Sequence, residues 1–329
     1  MDEKQFVTAL YRAVLQREPD ERGLASHVAK LRAGAAPETI AKKFMQLVAG
    51  RAQPKSKPNT FPLDLAPEMR VDLELTGKQS QELWSLVAKA WTRLGEDEPY
   101  WSVLTNSRWK IDQMSGDKAE AEFYQTGRAS LVRMEQWLAR NRMDVPVSGT
   151  CVEYGCGVGR CTLWLAKRFE HVVAFDISQP HLDRARARAD AEGVKNIEFV
   201  LVRSENDLCW MKDAALFYSI IVLQHNPPPL MRSILDHAFQ QLRPGGLAYF
   251  QVPTYGKGYQ FDLKAYLDKS SERNMEMHYI PQYAIFDLAL KNGMKPLEAS
   301  PDGMAGKLGH GISTTFLMAK EQRTGKSGT

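Results

Sequence analysis

The chain has 329 residues, 43% of them hydrophobic and 25% charged, which is typical of a folded protein with room for two domains. Its formal net charge is only +4 at pH 7 and its basic residues are dispersed, so the charge does not favour a nucleic-acid partner. No apolar run reaches the roughly 18 residues of a membrane span. The first residues lack the apolar core of a signal peptide, so we expect a cytoplasmic protein.

Residues 1–50 predict a small helical module. Phe6 and Leu10 lie four residues apart, as on one face of a helix, and Asp20 stands where its side chain can cap a second helix. Pro37 suits the first turn of a third helix. Such a module can serve in packing or in association with a second copy, so a homo-oligomer formed through it is one expectation.

The next two segments predict a linker and a helical cap. Residues 51–62 contain three prolines and three basic residues with little that is apolar, as in a linker. Residues 63–145 predict mainly helix, in which Ser80 can act as a cap and Leu83 and Val87 share the buried face.

From residue 146 to residue 322 the sequence predicts alternating strands and helices. This alternation is typical of an α/β fold with a doubly wound, mostly parallel sheet. Ligands of such sheets bind at the carboxyl ends of the strands, where the strand order reverses. The predicted strands lie near residues 150–154, 172–176, 197–202, 216–223, 247–252, 295–300 and 312–319, with helices near 160–169, 180–192, 229–242 and 281–292.

A glycine-rich turn follows the first of these strands. Gly155, Gly157 and Gly159 stand at alternate positions after Glu153, and Asp176 ends the next strand. Glycines at this spacing let the backbone pass close to a ligand. The third glycine comes one residue earlier than in the G-x-G-x-x-G of dinucleotide sites, and a carboxylate at 153 repels phosphate but suits an ammonium group. A nucleoside with a positive tail therefore fits, its ribose hydroxyls held by Asp176; a glycine turn without a ligand is the alternative.

Two further segments accompany this turn, namely Asp176-Ile177-Ser178 and the Leu-Arg-Pro-Gly-Gly of residues 242–246. With these three segments the chain resembles class I S-adenosylmethionine-dependent methyltransferases, over about residues 120–320. The resemblance implies a seven-stranded Rossmann-like sheet and S-adenosyl-L-methionine as the cofactor. It places Glu153 and the glycines around the methionine part, Asp176 on the ribose and Ile177 on the adenine. The full set of residues predicted to bind the cofactor is Glu153, Gly155, Cys156, Gly157, Gly159, Asp176, Ile177, Tyr124, Arg128 and Leu223.

The N-terminal module has a resemblance of its own. Residues 11–31 are similar to a short helical domain of uncharacterised function that is often fused to bacterial surface-glycan enzymes. The resemblance implies a bacterial protein that acts on a glycan. A generic helical bundle remains the alternative.

Two histidines are candidates for a catalytic base. Methylation of a hydroxyl requires removal of its proton, and a histidine titrates near neutral pH. His225 follows the fourth predicted strand and is the first candidate, although it can instead merely pack beside the cofactor; His278 is the second. Asn226-Pro227-Pro228 resembles the N-P-P-aromatic motif of amino-group methyltransferases, but Pro229 takes the aromatic position, which weakens that interpretation.

The acceptor is expected at the same rim. The residues predicted to contact it are Gln224, Asn226, Tyr255, Tyr259, Glu276 and Tyr279, with Asp302 and His310 nearby. No metal-ligand spacing accompanies them, so no metal is predicted.

The sequence thus leads to three hypotheses. The first is an S-adenosylmethionine-dependent O-methyltransferase acting on a sugar hydroxyl of a bacterial surface glycan or its precursor. The second is methylation of a hydroxyl or amine of a small biosynthetic metabolite. The third is a non-catalytic scaffold that binds a nucleoside.

Overall fold

The chain divides into two compact units, Met1–Leu63 and Asp64–Thr329. The structure is a computed structural model that describes residues 2–15, 18–51, 69–114, 116–269, 274–304 and 311–322. Apart from Arg51, the predicted linker of residues 51–62 lies outside the described residues, as does His310. Among the helices in these ranges, none is long and apolar enough to cross a membrane.

In the described part of the first unit there are three helices, α1 (Glu3–Leu15), α2 (Glu21–Arg32) and α3 (Pro37–Arg51). The predicted cap is confirmed, because a carboxylate oxygen of Asp20 accepts a hydrogen bond from the backbone N–H of Gly23 at 2.8 Å. The side chains that the three helices bury among themselves are Val7, Tyr11, Ile40 and Phe44.

From residue 69 onward the second unit forms a short strand, β1 (Arg70–Val71), and then a long helix, α4 (Gly77–Asp97). Thr76 caps α4 and Gln79 returns a hydrogen bond to the backbone N–H of Thr76, which forms a capping box. The prediction that Ser80 caps this helix is therefore wrong. The capping box starts the helix one turn earlier and leaves Ser80 buried inside it.

The prediction of a doubly wound, mostly parallel seven-stranded sheet is confirmed. The strand order is β4-β3-β2-β5-β6-β9-β8, and only β9 runs antiparallel to its neighbours within the described residues. Its strands are β2 (Thr150–Tyr154), β3 (His171–Asp176), β4 (Ile197–Leu201), β5 (Ala214–Ser219), β6 (Leu242–Gly256), β8 (Met294–Asp302) and β9 (Gly311–Lys320).

Helices cover both faces of this sheet, and separate hydrophobic clusters fill the two interfaces. After β2 the chain adds β3 and β4 on one side, and then returns to place β5 on the other side of β2. This reversal between β2 and β5 is where an open α/β sheet leaves a crevice for a ligand. The helices are α5 (Asp117–Arg140), α6 (Thr162–Ala166), α7 (Gln179–Ala191), α8 (Pro228–Gln241), α9 (Leu263–Asp268) and α10 (Gln282–Lys291).

β5 ends at Ser219, four residues before the predicted end at 223. Ile221 adopts a φ of 62°, which lies in the left-handed region and cannot continue a strand. A 3₁₀ turn, Leu223–His225, follows directly. The apolar run therefore belongs partly to a strained turn at the crevice.

A small parallel pair joins the start of the second unit to the chain that follows β6. β1 pairs with β7 (Gln260–Phe261), with Arg70 opposite Gln260. The carboxylate of Asp72 accepts a hydrogen bond from the backbone N–H of Leu263 at 2.8 Å. The segment before α4 is thus built into the rim of the sheet.

Candidate functional site

A cleft lies at the reversal point between β2 and β5, with about 750 Å³ of empty space. Its walls come from the turns after β2, β3 and β5 and from the α4 side of the unit. The residues that line it include Val87, Trp91, Ser102, Val103, Glu153, Gly155, Cys156, Gly157, Arg160, Asp176, Ile177, His181, Ile221, Val222, His225 and Asn226.

The glycine turn requires glycine at two cavity-lining positions. Gly155 has a φ of 79° and Gly157 a φ of 54°, both in the left-handed region. A Cβ at Gly155 would lie 2.2 Å from a methyl carbon of Val222, and one at Gly157 would lie 2.6 Å from a methyl carbon of Val103. Any side chain here would therefore close the cleft against its opposite wall.

Asp176 is held with its carboxylate at the cavity. One oxygen accepts a hydrogen bond from the backbone N–H of Gly157 at 2.7 Å, and the other from that of Ser178 at 2.9 Å. Each carboxylate oxygen can accept more than one hydrogen bond. Asp176 therefore remains able to accept two hydroxyl groups of a ribose.

Glu153 places a buried carboxyl group on the cavity wall, with only 3% of the residue exposed. Its Oε2 has no hydrogen-bond partner among the described residues. Burial raises the pKa of this carboxyl to about 8. A buried polar atom without a partner marks a place where a ligand group can bind, and an ammonium group suits a carboxylate.

His225 lines the same cavity and has a defined tautomer. Its Nδ1 lies 2.8 Å from the backbone oxygen of Glu276, and a carbonyl only accepts, so Nδ1 carries the proton. Nε2 is then the unprotonated nitrogen, and it lies 3.3 Å from the side-chain nitrogen of Gln224. Burial lowers the pKa of His225 to about 4, which keeps the ring neutral at pH 7.

His278 lies behind the rim and is not among the residues that line the cavity. Its Nδ1 is 2.9 Å from the hydroxyl of Tyr259, and its Nε2 is 3.6 Å from a carboxylate oxygen of Glu276. That carboxylate also accepts a hydrogen bond from Tyr266 at 2.6 Å. Glu276 thus contacts both histidines, His225 through its main chain and His278 through its side chain.

Several predicted cofactor residues do not reach the cavity. The hydroxyl of Tyr124 donates to the backbone oxygen of Val158 at 2.9 Å, so this side chain supports the glycine turn from behind. Arg128 lies over the ring of Trp164, with its guanidinium carbon 5.9 Å from the ring centre. Gly159 packs against α7 and Leu223 lies in the core.

Of the predicted acceptor residues, some line the cavity and others lie outside it. Asn226 lines the cavity, and its side chain donates to the backbone oxygen of Val222 at 3.2 Å. Gln224 is buried beside His225, with its Oε1 unpartnered among the described residues. Tyr255, Tyr259, Glu276 and Tyr279 lie outside the cavity wall, and the rings of Tyr259 and Tyr279 are 4.9 Å apart.

Sequence reasoning missed further polar or aromatic residues of the cavity, among them Trp91, Ser102, Arg160 and His181. Trp91 on α4 stands with its ring 5.0 Å from that of His225, although its helical spacing assigns it to the core. Nε2 of His181 lies 2.9 Å from the hydroxyl oxygen of Ser102, which joins α7 to the chain after α4. Arg160 directly follows the third glycine, which was the available signal for it.

Comparisons with known proteins add to this geometry. Residues 151–246 match the family described as a methyltransferase domain, and residues 1–46 match a domain of unknown function. Among solved structures, magnesium protoporphyrin IX methyltransferase from Synechocystis PCC 6803 with bound S-adenosylhomocysteine is similar at a TM-score of 0.50 and 15% identity, covering 73% of this chain and 100% of that one. This likeness supports the Rossmann-like fold.

Curated relatives match only part of the chain. It is 26% identical over 138 residues to tRNA 5-carboxymethoxyuridine methyltransferase of Escherichia coli strain K12, covering 40% of this chain and 51% of that protein. It is 30% identical over 86 residues to tRNA/tmRNA (uracil-C(5))-methyltransferase of a Nitratiruptor species, covering 26% of this chain and 23% of that protein. The chain thus spans about half or less of these relatives.

At the level of the domain, the prediction of a methyltransferase is confirmed, and S-adenosyl-L-methionine is the cofactor that this match supports. The cavity fits that cofactor because three features meet in it. These are a buried carboxyl group with one unpartnered oxygen, glycines without a side chain at 155 and 157, and the carboxylate of Asp176 held by two backbone N–H groups. The relatives named for tRNA conflict weakly with the expectation of no nucleic-acid partner.

Proposed function

We propose that the protein is an S-adenosylmethionine-dependent O-methyltransferase. The observation that carries the proposal is one cavity lined by Glu153, Asp176 and the neutral ring of His225. Asp176 would hold the ribose, Glu153 the ammonium group and Ile177 the adenine. When bound, the cofactor supplies an activated methyl group.

His225 would act as the base for the acceptor. Its Nδ1–H is fixed on the backbone oxygen of Glu276, so Nε2 can accept the proton of an acceptor hydroxyl. Trp91 would orient the acceptor, because it lines the same cavity and its ring centre lies 5.0 Å from that of His225. The side-chain amide of Gln224, 3.3 Å from Nε2, would hold the imidazole until an acceptor replaces it.

Among hydroxyl acceptors we favour a sugar of a bacterial surface glycan or its precursor. The resemblance of residues 11–31 to a domain fused to glycan enzymes supports this class, and Trp91 offers a flat ring on which a sugar can lie. A small metabolite is the alternative acceptor. A tRNA uridine is the other, because the curated relatives are named for that substrate.

Labelled S-adenosylmethionine and a fractionated lysate test the proposal. We expect label in the glycan fraction, and none from the matched variant Asp176→Ala, which loses both ribose acceptors. If label appears only in the small-molecule, lipid, protein or RNA fraction, the sugar proposal is wrong and the acceptor belongs to the labelled class. Calorimetry with S-adenosylhomocysteine tests the cofactor separately, and a wild-type protein that gives no heat would refute the central claim.

A further inference from the structure

Arg160 is a buried cation on the cavity wall. Only 5% of the residue is exposed, and it lines the cleft together with Glu153. Its position follows from the sequence, because it directly follows Gly159 at the end of the glycine turn. Its guanidinium points toward α5, where Nη1 lies 3.1 Å from the hydroxyl of Ser130 and 3.5 Å from that of Thr126.

These hydroxyls leave the guanidinium charge uncompensated. Nε of Arg160 is buried and has no acceptor, and Arg160 forms no ion pair with a carboxylate of the described residues. Exposed arginines of the same unit do form such pairs, for example Arg168 with Glu135 at 2.8 Å. A buried cation without an anion is unfavourable, so the site is suited to an anionic group of a ligand.

Glu153 does not neutralise this charge in the free protein. Burial raises its pKa to about 8, so at neutral pH the carboxyl group is mostly protonated. The cavity wall therefore offers one cation and one carboxyl group that can ionise. An α-amino acid group, with a carboxylate and an ammonium on one carbon, complements this pair.

We propose that Arg160 binds the carboxylate of the amino-acid end of S-adenosylmethionine, while Glu153 faces its ammonium group. The inference rests on the proposed function, since it assigns a residue to the cofactor of that function. A guanidinium offers two parallel N–H donors to a carboxylate, which a lysine or a hydroxyl cannot reproduce. Arg160 thereby determines that the site takes a nucleoside with a complete amino-acid tail.

Three nucleosides test the contact on the wild-type protein by calorimetry. They are S-adenosylmethionine, its decarboxylated form and 5′-methylthioadenosine, which lacks the whole amino-acid end. We expect decarboxylated S-adenosylmethionine to bind about 10- to 100-fold more weakly than S-adenosylmethionine, because a charge-assisted hydrogen-bond pair is lost. Equal affinity of the two would overturn the proposal without any mutation.

The variant Arg160→Met completes the comparison. It keeps an unbranched side chain as far as the position of Nε and removes the charged end. Both forms of S-adenosylmethionine should therefore bind it about equally, and 5′-methylthioadenosine should bind as it does to the wild type. The control is Arg168→Met, which should keep the full preference for the carboxylate. Thermal unfolding of each variant shows whether it folds; if Arg160→Met does not, the wild-type comparison decides.

The outcomes separate this proposal from the proposed function. If the wild type binds 5′-methylthioadenosine but does not distinguish the two longer ligands, the role of Arg160 is refuted and the nucleoside site stands. If Arg160→Met folds and still prefers the carboxylate, the role is also refuted. If no nucleoside binds the wild type, both proposals are refuted.

Discussion

Glu153 links the stability of the fold to the chemistry of the cavity. The pKa of its carboxyl is raised from 4.5 to about 8, first by burial and then by the charge of Asp176, while Thr162 and Arg160 act in the opposite direction. A folded pKa above the unfolded one gives stability that is fully present below pH 4.5. That stability is lost as the pH rises through 8.

The variant Glu153→Gln should therefore be more stable than the wild type at high pH. It keeps a neutral side chain of the same size, so we expect its free energy of unfolding to exceed that of the wild type by about 1–3 kcal/mol at pH 8.5. At pH 4.5 the two should agree. Urea unfolding at both pH values measures this, with the exposed Glu82→Gln as the control. Equal pH dependence of wild type and Glu153→Gln would contradict the prediction.

The two histidines make a second prediction at the residue scale. His225 lines the cavity and His278 lies behind it, so His225→Ala should lower turnover by about 100- to 10,000-fold, as for loss of a general base. His278→Ala should lower it much less, because it removes contacts to Tyr259 and Glu276 but no group that lines the cavity. Both variants should bind S-adenosylhomocysteine almost as the wild type does. The general-base assignment fails if His225→Ala turns over its acceptor normally.

At the scale of elements, β6 and β9 hold the strained turn that follows β5. Oε1 of Gln251, a fully buried residue of β6, accepts the backbone N–H of Ile221 at 2.9 Å, and its Nε2 donates to Ser313 of β9 at 2.6 Å. A β-branched residue with a φ of 62° persists only when its surroundings fix it. This hydrogen-bond chain explains how Ile221 keeps its place on the cavity wall.

Removing the side-chain hydrogen bonds of Gln251 should release the turn at Ile221. We expect Gln251→Ala to lower the free energy of unfolding by about 1–3 kcal/mol, because it leaves a partly buried N–H and a buried hydroxyl without partners. It should also weaken S-adenosylhomocysteine binding, since Ile221 lines the cavity. Ser313→Ala serves as a matched control that breaks the distal hydrogen bond but keeps the one to Ile221. Unchanged nucleoside affinity in Gln251→Ala would show that the turn holds its shape without the amide.

The helices and strands also show how much of the structure the sequence predicts. The strands and helices of the sheet follow from alternating apolar runs, and the glycine turn and its acids follow from spacing that the backbone itself requires. The predicted start of α4 differs from the observed one because Ser80 and Thr76 are both good caps. Only Gln79, three residues after Thr76, favours Thr76 by completing a capping box. The burial of His278 and the turn at Ile221 depend on contacts between distant segments, which local patterns do not contain.

At the scale of the whole molecule, the chain forms two compact units whose boundary lies at residues 63 and 64. The second unit uses residues soon after that boundary. The backbone N–H of Gly256 lies 3.1 Å from the sulfur of Met69, and Asp72 accepts the N–H of Leu263. The proposed division into a helical module at 1–50, a linker at 51–62, a cap at 63–145 and a catalytic domain at 146–322 must therefore keep the cap with the catalytic domain.

Two truncations test this division. A protein that starts at residue 64 should fold, bind S-adenosylhomocysteine like the full chain and lose any self-association that depends on the helical module. A protein that starts at residue 76 lacks β1, Met69 and Asp72, so we expect its free energy of unfolding to fall by a further 1–3 kcal/mol, roughly, through the lost hydrogen bonds. Urea unfolding, calorimetry and light scattering give the three readouts. If the protein that starts at residue 64 is insoluble, the first unit is part of the same folding core as the second. If both truncations are equally stable, the β1–β7 pair does not stabilise the rim of the sheet.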